Sequence, residues 1–100
     1  MRKIAVIGTG YVGLITGTAL AEIGNHVTCM DVDENKVKQL KRAISPIYEP
    51  GLEEIMEKNI EAAHLHFTTK YEKAIPGSEV VYIAVGTPEN QDGTANLEFV

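Results

Sequence analysis

The sequence holds a single cysteine in 100 residues. That excludes an internal disulfide and fits a reducing, cytoplasmic compartment. Basic residues are few: nine Lys and Arg against 14 Asp and Glu give a formal net charge of −5. Such a balance speaks against a surface for nucleic acid or an anionic membrane. It does not speak against a nucleotide cofactor, whose phosphates can be held by backbone amides. No apolar run reaches membrane-spanning length, because Thr, Gly and charged residues interrupt every one. Met1-Arg2-Lys3 leads straight into a strand-like run, without the apolar stretch and small-residue cleavage site of a signal peptide. His64 and His66 stand two apart, but two ligands without a third make no metal site. No Ser/His/Asp set is recognisable, so no catalytic residue is assigned.

What is present is an alternation of strand and helix patterns over a 44% apolar composition, enough for one domain with a real core. Residues 3–7 read as a strand buried on both faces and about 11–23 as a helix stopped by Gly24-Asn25. A second strand covers about 26–31. Asp33 is placed to cap a helix carrying Val37, Leu40 and Ile44 on one face. Ser45-Pro46 breaks that helix, and Leu52, Ile55, Met56 and Ile60 mark another. Leu65 and Phe67 alternate as in a short strand, residues 70–75 form one helical turn before Pro76-Gly77, and Val80 to Val85 reads as a strongly buried strand. Alternation predicts an α/β fold: a Rossmann-type parallel sheet in the order 3-2-1-4 with helices on both faces. The outer edge of the fourth strand is left without a partner. It is the expected route of self-association.

The chemistry sits in Gly8-Thr9-Gly10-Tyr11-Val12-Gly13. This Gly-x-Gly-x-x-Gly follows a strand, opens a helix, and has an acid, Asp31, at the end of the second strand, 18 positions after Gly13. Glycines alone also serve ordinary turns, but this context is the one a dinucleotide requires. Gly8 permits the tight turn, Gly10 lets the backbone approach a pyrophosphate, and Gly13 lets helix and strand pack closely. The free N–H groups and dipole of the helix start then face the phosphates. Asp31 can accept from both ribose hydroxyls and would repel a 2′-phosphate, which favours NAD over NADP. Lys36, one turn into the next helix, has reach of the ribose edge or a phosphate, with a plain surface lysine as the other reading. Val85, Gly86, Thr87 and Pro88, at the end of the fourth strand, form by topology either the second wall of the crevice or a simple strand-to-loop turn. Gly17 and Ala21 continue the small face of Gly13 and serve packing. Cys29 lies inside a buried strand, where a thiol pKa is raised, and reads as core.

Four segments in order carry a resemblance: Gly8-Thr9-Gly10-Tyr11-Val12-Gly13-Leu14, Asp31-Val32-Asp33, Pro46-Ile47-Tyr48-Glu49-Pro50-Gly51-Leu52 and Ala84-Val85-Gly86-Thr87-Pro88. Together they resemble the N-terminal NAD-binding domain of the UDP-glucose/GDP-mannose dehydrogenase family, over essentially the whole chain. The Pro46–Leu52 loop makes the likeness specific among Rossmann proteins. The resemblance implies NAD contacts from Gly8 to Gly13, Asp31, Lys36 and Val85 to Glu89. It implies a parent oxidoreductase that converts a sugar-nucleotide alcohol to a carboxylate through a cysteine thioester, UDP-glucose to UDP-glucuronate, with two NAD. GDP-mannose and a UDP-N-acetylhexosamine are the alternative substrates, and a stand-alone NAD-sensing module is the alternative of another class. Family members are several times longer, so residues 1–100 are expected to be a partial NAD-binding domain. Sugar-nucleotide binding, dimerisation and the catalytic residues would then lie outside it, and the chain alone is expected to be inactive.

Overall fold

The computed structural model describes residues 2–47 and 49–84. The elements run β1 (Lys3–Ile7), α1 (Tyr11–Glu22), β2 (His26–Met30), α2 (Glu34–Lys41), α3 (Leu52–Glu61), β3 (Leu65–Thr68), α4 (Tyr71–Ala74) and β4 (Val80–Ile83). The four strands form one sheet in the order β3-β2-β1-β4, and every pairing is parallel. This is the expected doubly wound order. Its strand order reverses at β1, beside the turn that leads into α1.

Alternation along β1 sends its residues to two cores. Ile4 and Val6 join Leu14, Ala21, Val27, Cys29, Val37, Leu40, Leu52, Met56, Leu65 and Phe67. Ala5 and Ile7 join Met30 and Ala74 on the other face. The first, larger core draws on α1, α2 and α3, because right-handed crossovers from β1 to β2 and from β2 to β3 place their helices on the same side. Among the described residues the second face is covered only by the four-residue α4. Ile4 through Ile7 are at most 6% exposed, so the strand is buried on both faces.

Two expectations are corrected. Ile44 is not on the face of α2: the helix ends at Lys41, Ala43 takes φ +61°, and Ile44 is exposed. The Ala43 N–H donates to the Leu40 carbonyl and the Ile44 N–H to the Gln39 carbonyl, a Schellman stop built on alanine. Likewise β4 is not strongly buried. Val81, Tyr82 and Ile83 are 40%, 44% and 55% exposed, because β1 pairs β4 on one side only and no described strand pairs its far edge. No helix among the described residues is long and apolar enough to cross a membrane.

Candidate functional site

Three glycines leave β1 for three separate reasons. Gly8 takes φ +105°, a conformation that side chains oppose, and its N–H donates to the Met30 carbonyl at 2.7 Å. A Cβ on Gly13 would stand 2.0 Å from the Gly8 carbonyl oxygen, so α1 can approach the β1 turn only without a side chain there. Gly10 differs from both. Its φ of −69° and ψ of −169° suit any residue, and a Cβ there would meet nothing within 4 Å. Among the described residues nothing requires this glycine; the open space above its backbone fits an incoming group.

Gly10 is also the N-cap of α1, and the helix start is bare. No side chain caps it, its first turn holds no acid, and its first helical bond runs from the Leu14 N–H to the Gly10 carbonyl. The N–H groups before Leu14 therefore lack helical partners and point outward with the dipole. An anion of phosphate chemistry fits such a cradle.

Asp31 follows β2 and is tied to the glycine loop. Its Oδ2 accepts the Thr9 N–H at 3.1 Å and the Thr9 hydroxyl at 2.6 Å, and the Lys36 ammonium stands 3.5 Å away. Its Oδ1 accepts the Asp33 N–H at 3.0 Å. Burial raises the Asp31 pKa, but the hydrogen bonds from Thr9 and Asp33 and the Lys36 charge outweigh it and hold the carboxyl below its usual range. It is a carboxylate at neutral pH. Asp33 caps α2 as expected, its side chain accepting the Lys36 N–H at 3.1 Å, which sets Lys36 one turn from Asp31.

The structure thus brings together Gly8, Thr9, Gly10, Tyr11, Val12, Gly13, Asp31 and Lys36. Val85, Gly86, Thr87, Pro88 and Glu89, the expected second wall, lie outside the described residues, as does Tyr48. Tyr11 turns sideways: its hydroxyl donates to Glu49 Oε1 at 3.2 Å and ties Glu49 to α1. That bond and the Glu49 charge raise the phenol pKa, so Tyr11 stays neutral.

Two neighbours escaped the sequence reading. Val32 and Tyr71 join Ile7, Gly8, Met30 and Asp31 around a hollow of about 70 Å³. Both are exposed large apolar side chains, 75% and 52%. Only the meeting of β2's end with the start of α4 reveals them. Larger hollows of about 390 and 350 Å³ lie between Ser45–Ile47, Glu49–Gly51 and the start of α3, and between α1 and α3. Neither touches the glycine loop or Asp31.

Cys29 is fully buried, and burial raises its pKa to about 12. A Cβ on Gly17 would sit 2.6 Å from its sulfur, so the thiol is packing for α1. His64 stands just before β3, its ring edge-on to His26 at 5.4 Å. The His66 ring contacts the Ala63 carbonyl. Among the described residues no three His, Cys, Asp or Glu side chains gather as for a metal.

Comparison with known proteins agrees with this geometry. Residues 2–100 match the UDP-glucose/GDP-mannose dehydrogenase family, NAD binding domain. The UDP-glucose 6-dehydrogenase YwqF of Bacillus subtilis (strain 168) is 57% identical over 98 residues, 98% of this chain and 22% of the relative. A UDP-glucose dehydrogenase structure from the hyperthermophilic archaeon Pyrobaculum islandicum superposes with a TM-score of 0.88 at 36% identity, over 99% of this chain and 23% of that one. The ternary complex of GDP-mannose dehydrogenase from Pseudomonas aeruginosa does so with a TM-score of 0.87 at 35% identity, over 97% and 22%. The chain spans about a fifth of the length of these proteins. It belongs to the UDP-glucose/GDP-mannose dehydrogenase family, as the NAD-binding domain of that family.

Proposed function

We propose that this chain holds the adenosine diphosphate part of NAD for a nucleotide-sugar dehydrogenase that oxidises UDP-glucose to UDP-glucuronate with two NAD. The observation that carries the reading is Gly10, a glycine that the described residues do not need but a close-lying pyrophosphate does. The N–H groups from Gly10 to Gly13 bind the phosphates, and Gly8 shapes the turn beneath them. Asp31 and Lys36 hold the ribose, and Val32 and Tyr71 offer apolar walls beside it. The family resemblance adds Val85, Gly86, Thr87, Pro88 and Glu89, which lie outside the described residues, as further cofactor contacts. When bound, NAD supplies the hydride acceptor for the alcohol and the aldehyde. The residues of this chain bind and orient it.

The 57% identity to the UDP-glucose 6-dehydrogenase relative supports UDP-glucose as the substrate of the parent enzyme. The sugar nucleotide itself is read outside this chain. No residue described here has the placement of a catalytic nucleophile, so the chain alone should yield no NADH from UDP-glucose and NAD. The lone, buried Cys29 supports a reducing, cytoplasmic setting. The edge of β4 that no described strand pairs supports self-association, which should appear by light scattering at millimolar concentration; a strict monomer there contradicts it.

Calorimetric titration tests the cofactor reading. NAD should bind at least about tenfold more tightly than NADP, whose 2′-phosphate meets Asp31. Asp31→Ala should weaken NAD about tenfold, the worth of one hydrogen bond to a charged group. Equal affinity for both cofactors, or unchanged binding by the variant, contradicts it.

A further inference from the structure

Thr9 is 1% exposed and therefore shows a ligand almost nothing of itself. Yet both of its donors, N–H and hydroxyl, converge on one oxygen of a residue 22 positions away, Asp31 Oδ2, at 3.1 and 2.6 Å. Lys36 stands on the same oxygen at 3.5 Å, and the Asp33 N–H fills one position of Oδ1 at 3.0 Å. A carboxylate offers about four lone-pair positions. Three are taken by Thr9 and Asp33, and Lys36 crowds Oδ2 further. Among the described residues one position stays open, on Oδ1.

We propose that Thr9 is a positioning residue for cofactor recognition: it locks the Asp31 carboxylate with Oδ2 turned into the loop, so that Oδ1 alone accepts one ribose hydroxyl. The proposal deepens the reading of Asp31 as the ribose acceptor and rests on it. It also narrows that reading, since an unconstrained aspartate could accept both hydroxyls. The lock holds for a physical reason. A hydroxyl-to-carboxylate bond of this length is charge-assisted, and turning the carboxylate away would strand a buried hydroxyl and a buried N–H together. The residue is otherwise plain: it is neither a glycine of the loop nor a group that could reach the ribose.

The test is a set of NAD titrations on the full chain in five forms: wild type, Thr9→Val, Thr9→Ser, Asp31→Ala, and Thr9→Val with Asp31→Ala. Thr9→Val should weaken NAD about tenfold, and Thr9→Ser should stay within about twofold of wild type, because the hydroxyl is restored. The double variant should bind no more weakly than Asp31→Ala, because Thr9 acts through Asp31. Losses that multiply would make Thr9 a packing residue and overturn the proposal. Wild-type affinity in Thr9→Val, with Asp31→Ala weakened, overturns the proposal and leaves the Asp31 reading standing. Wild-type affinity in Asp31→Ala overturns both. With 2′-deoxy and 3′-deoxy adenosine forms of NAD as probes, one should lose about tenfold and the other little; equal large losses overturn the single-acceptor geometry.

Discussion

Helices α1 and α2 begin at the same end of the same sheet and are finished in opposite ways. At α2, Asp33 caps the first turn and Glu34 stands in it, with Lys38 and Lys41 in the last turn. One of its free donors and its dipole are met by its own residues. At α1 there is no capping side chain, no acid in the first turn and no base in the last. The difference separates a helix end made for stability from one kept open for an anion. The uncapped end is the one that carries the glycines and follows Thr9, which bonds Asp31.

The comparison breaks first at Gly13. Gly13→Ala drives a methyl group to 2.0 Å from a backbone oxygen that no rotamer can relieve. It should cost about 3 kcal/mol or more by thermal or denaturant unfolding, at the upper end of overpacking losses. A variant as stable as wild type would mean that α1 does not pack so closely on the β1 turn.

A pair of substitutions exchanges the two helix ends. Asp33→Ala should cost about 1 kcal/mol of stability and leave NAD affinity within about twofold, since the Asp31 contact at that position comes from the Asp33 backbone. Val12→Glu, at an exposed position of the α1 first turn, should gain about 0.5 kcal/mol through the dipole yet weaken NAD about tenfold by facing its phosphates with a carboxylate. Paired unfolding and calorimetry check both, and a Val12→Glu variant that binds NAD normally removes the phosphates from α1.

Much of this was legible in the sequence, for local reasons. The strand order follows from alternation and handedness. The α1 stop follows from Gly24, whose φ of +107° is what glycine is for. The stops of α2 and α3 were not legible, because Ala43 and Ala63 take φ +61° and +63°, where alanine is disfavoured and only tertiary packing and Schellman bonds hold it. Asn59 also escaped. It is buried on α3 and donates to Glu22 on α1 and to the Ile55 carbonyl, which joins the two helices without any periodic signal. In the site, the glycines and Asp31 announced themselves by spacing. The Thr9–Asp31 bond and the Val32–Tyr71 walls did not, since each joins residues far apart in the chain that only the parallel register brings together.

Gly10→Ala tests the central claim most directly, because the fold leaves that methyl group free space and an allowed backbone. The account predicts an unfolding midpoint equal to wild type or slightly higher, by at most about 1 kcal/mol from lost unfolded-state freedom, together with NAD affinity weakened at least about tenfold. A Gly10→Ala protein that binds NAD as wild type does, with its stability unchanged, would contradict it.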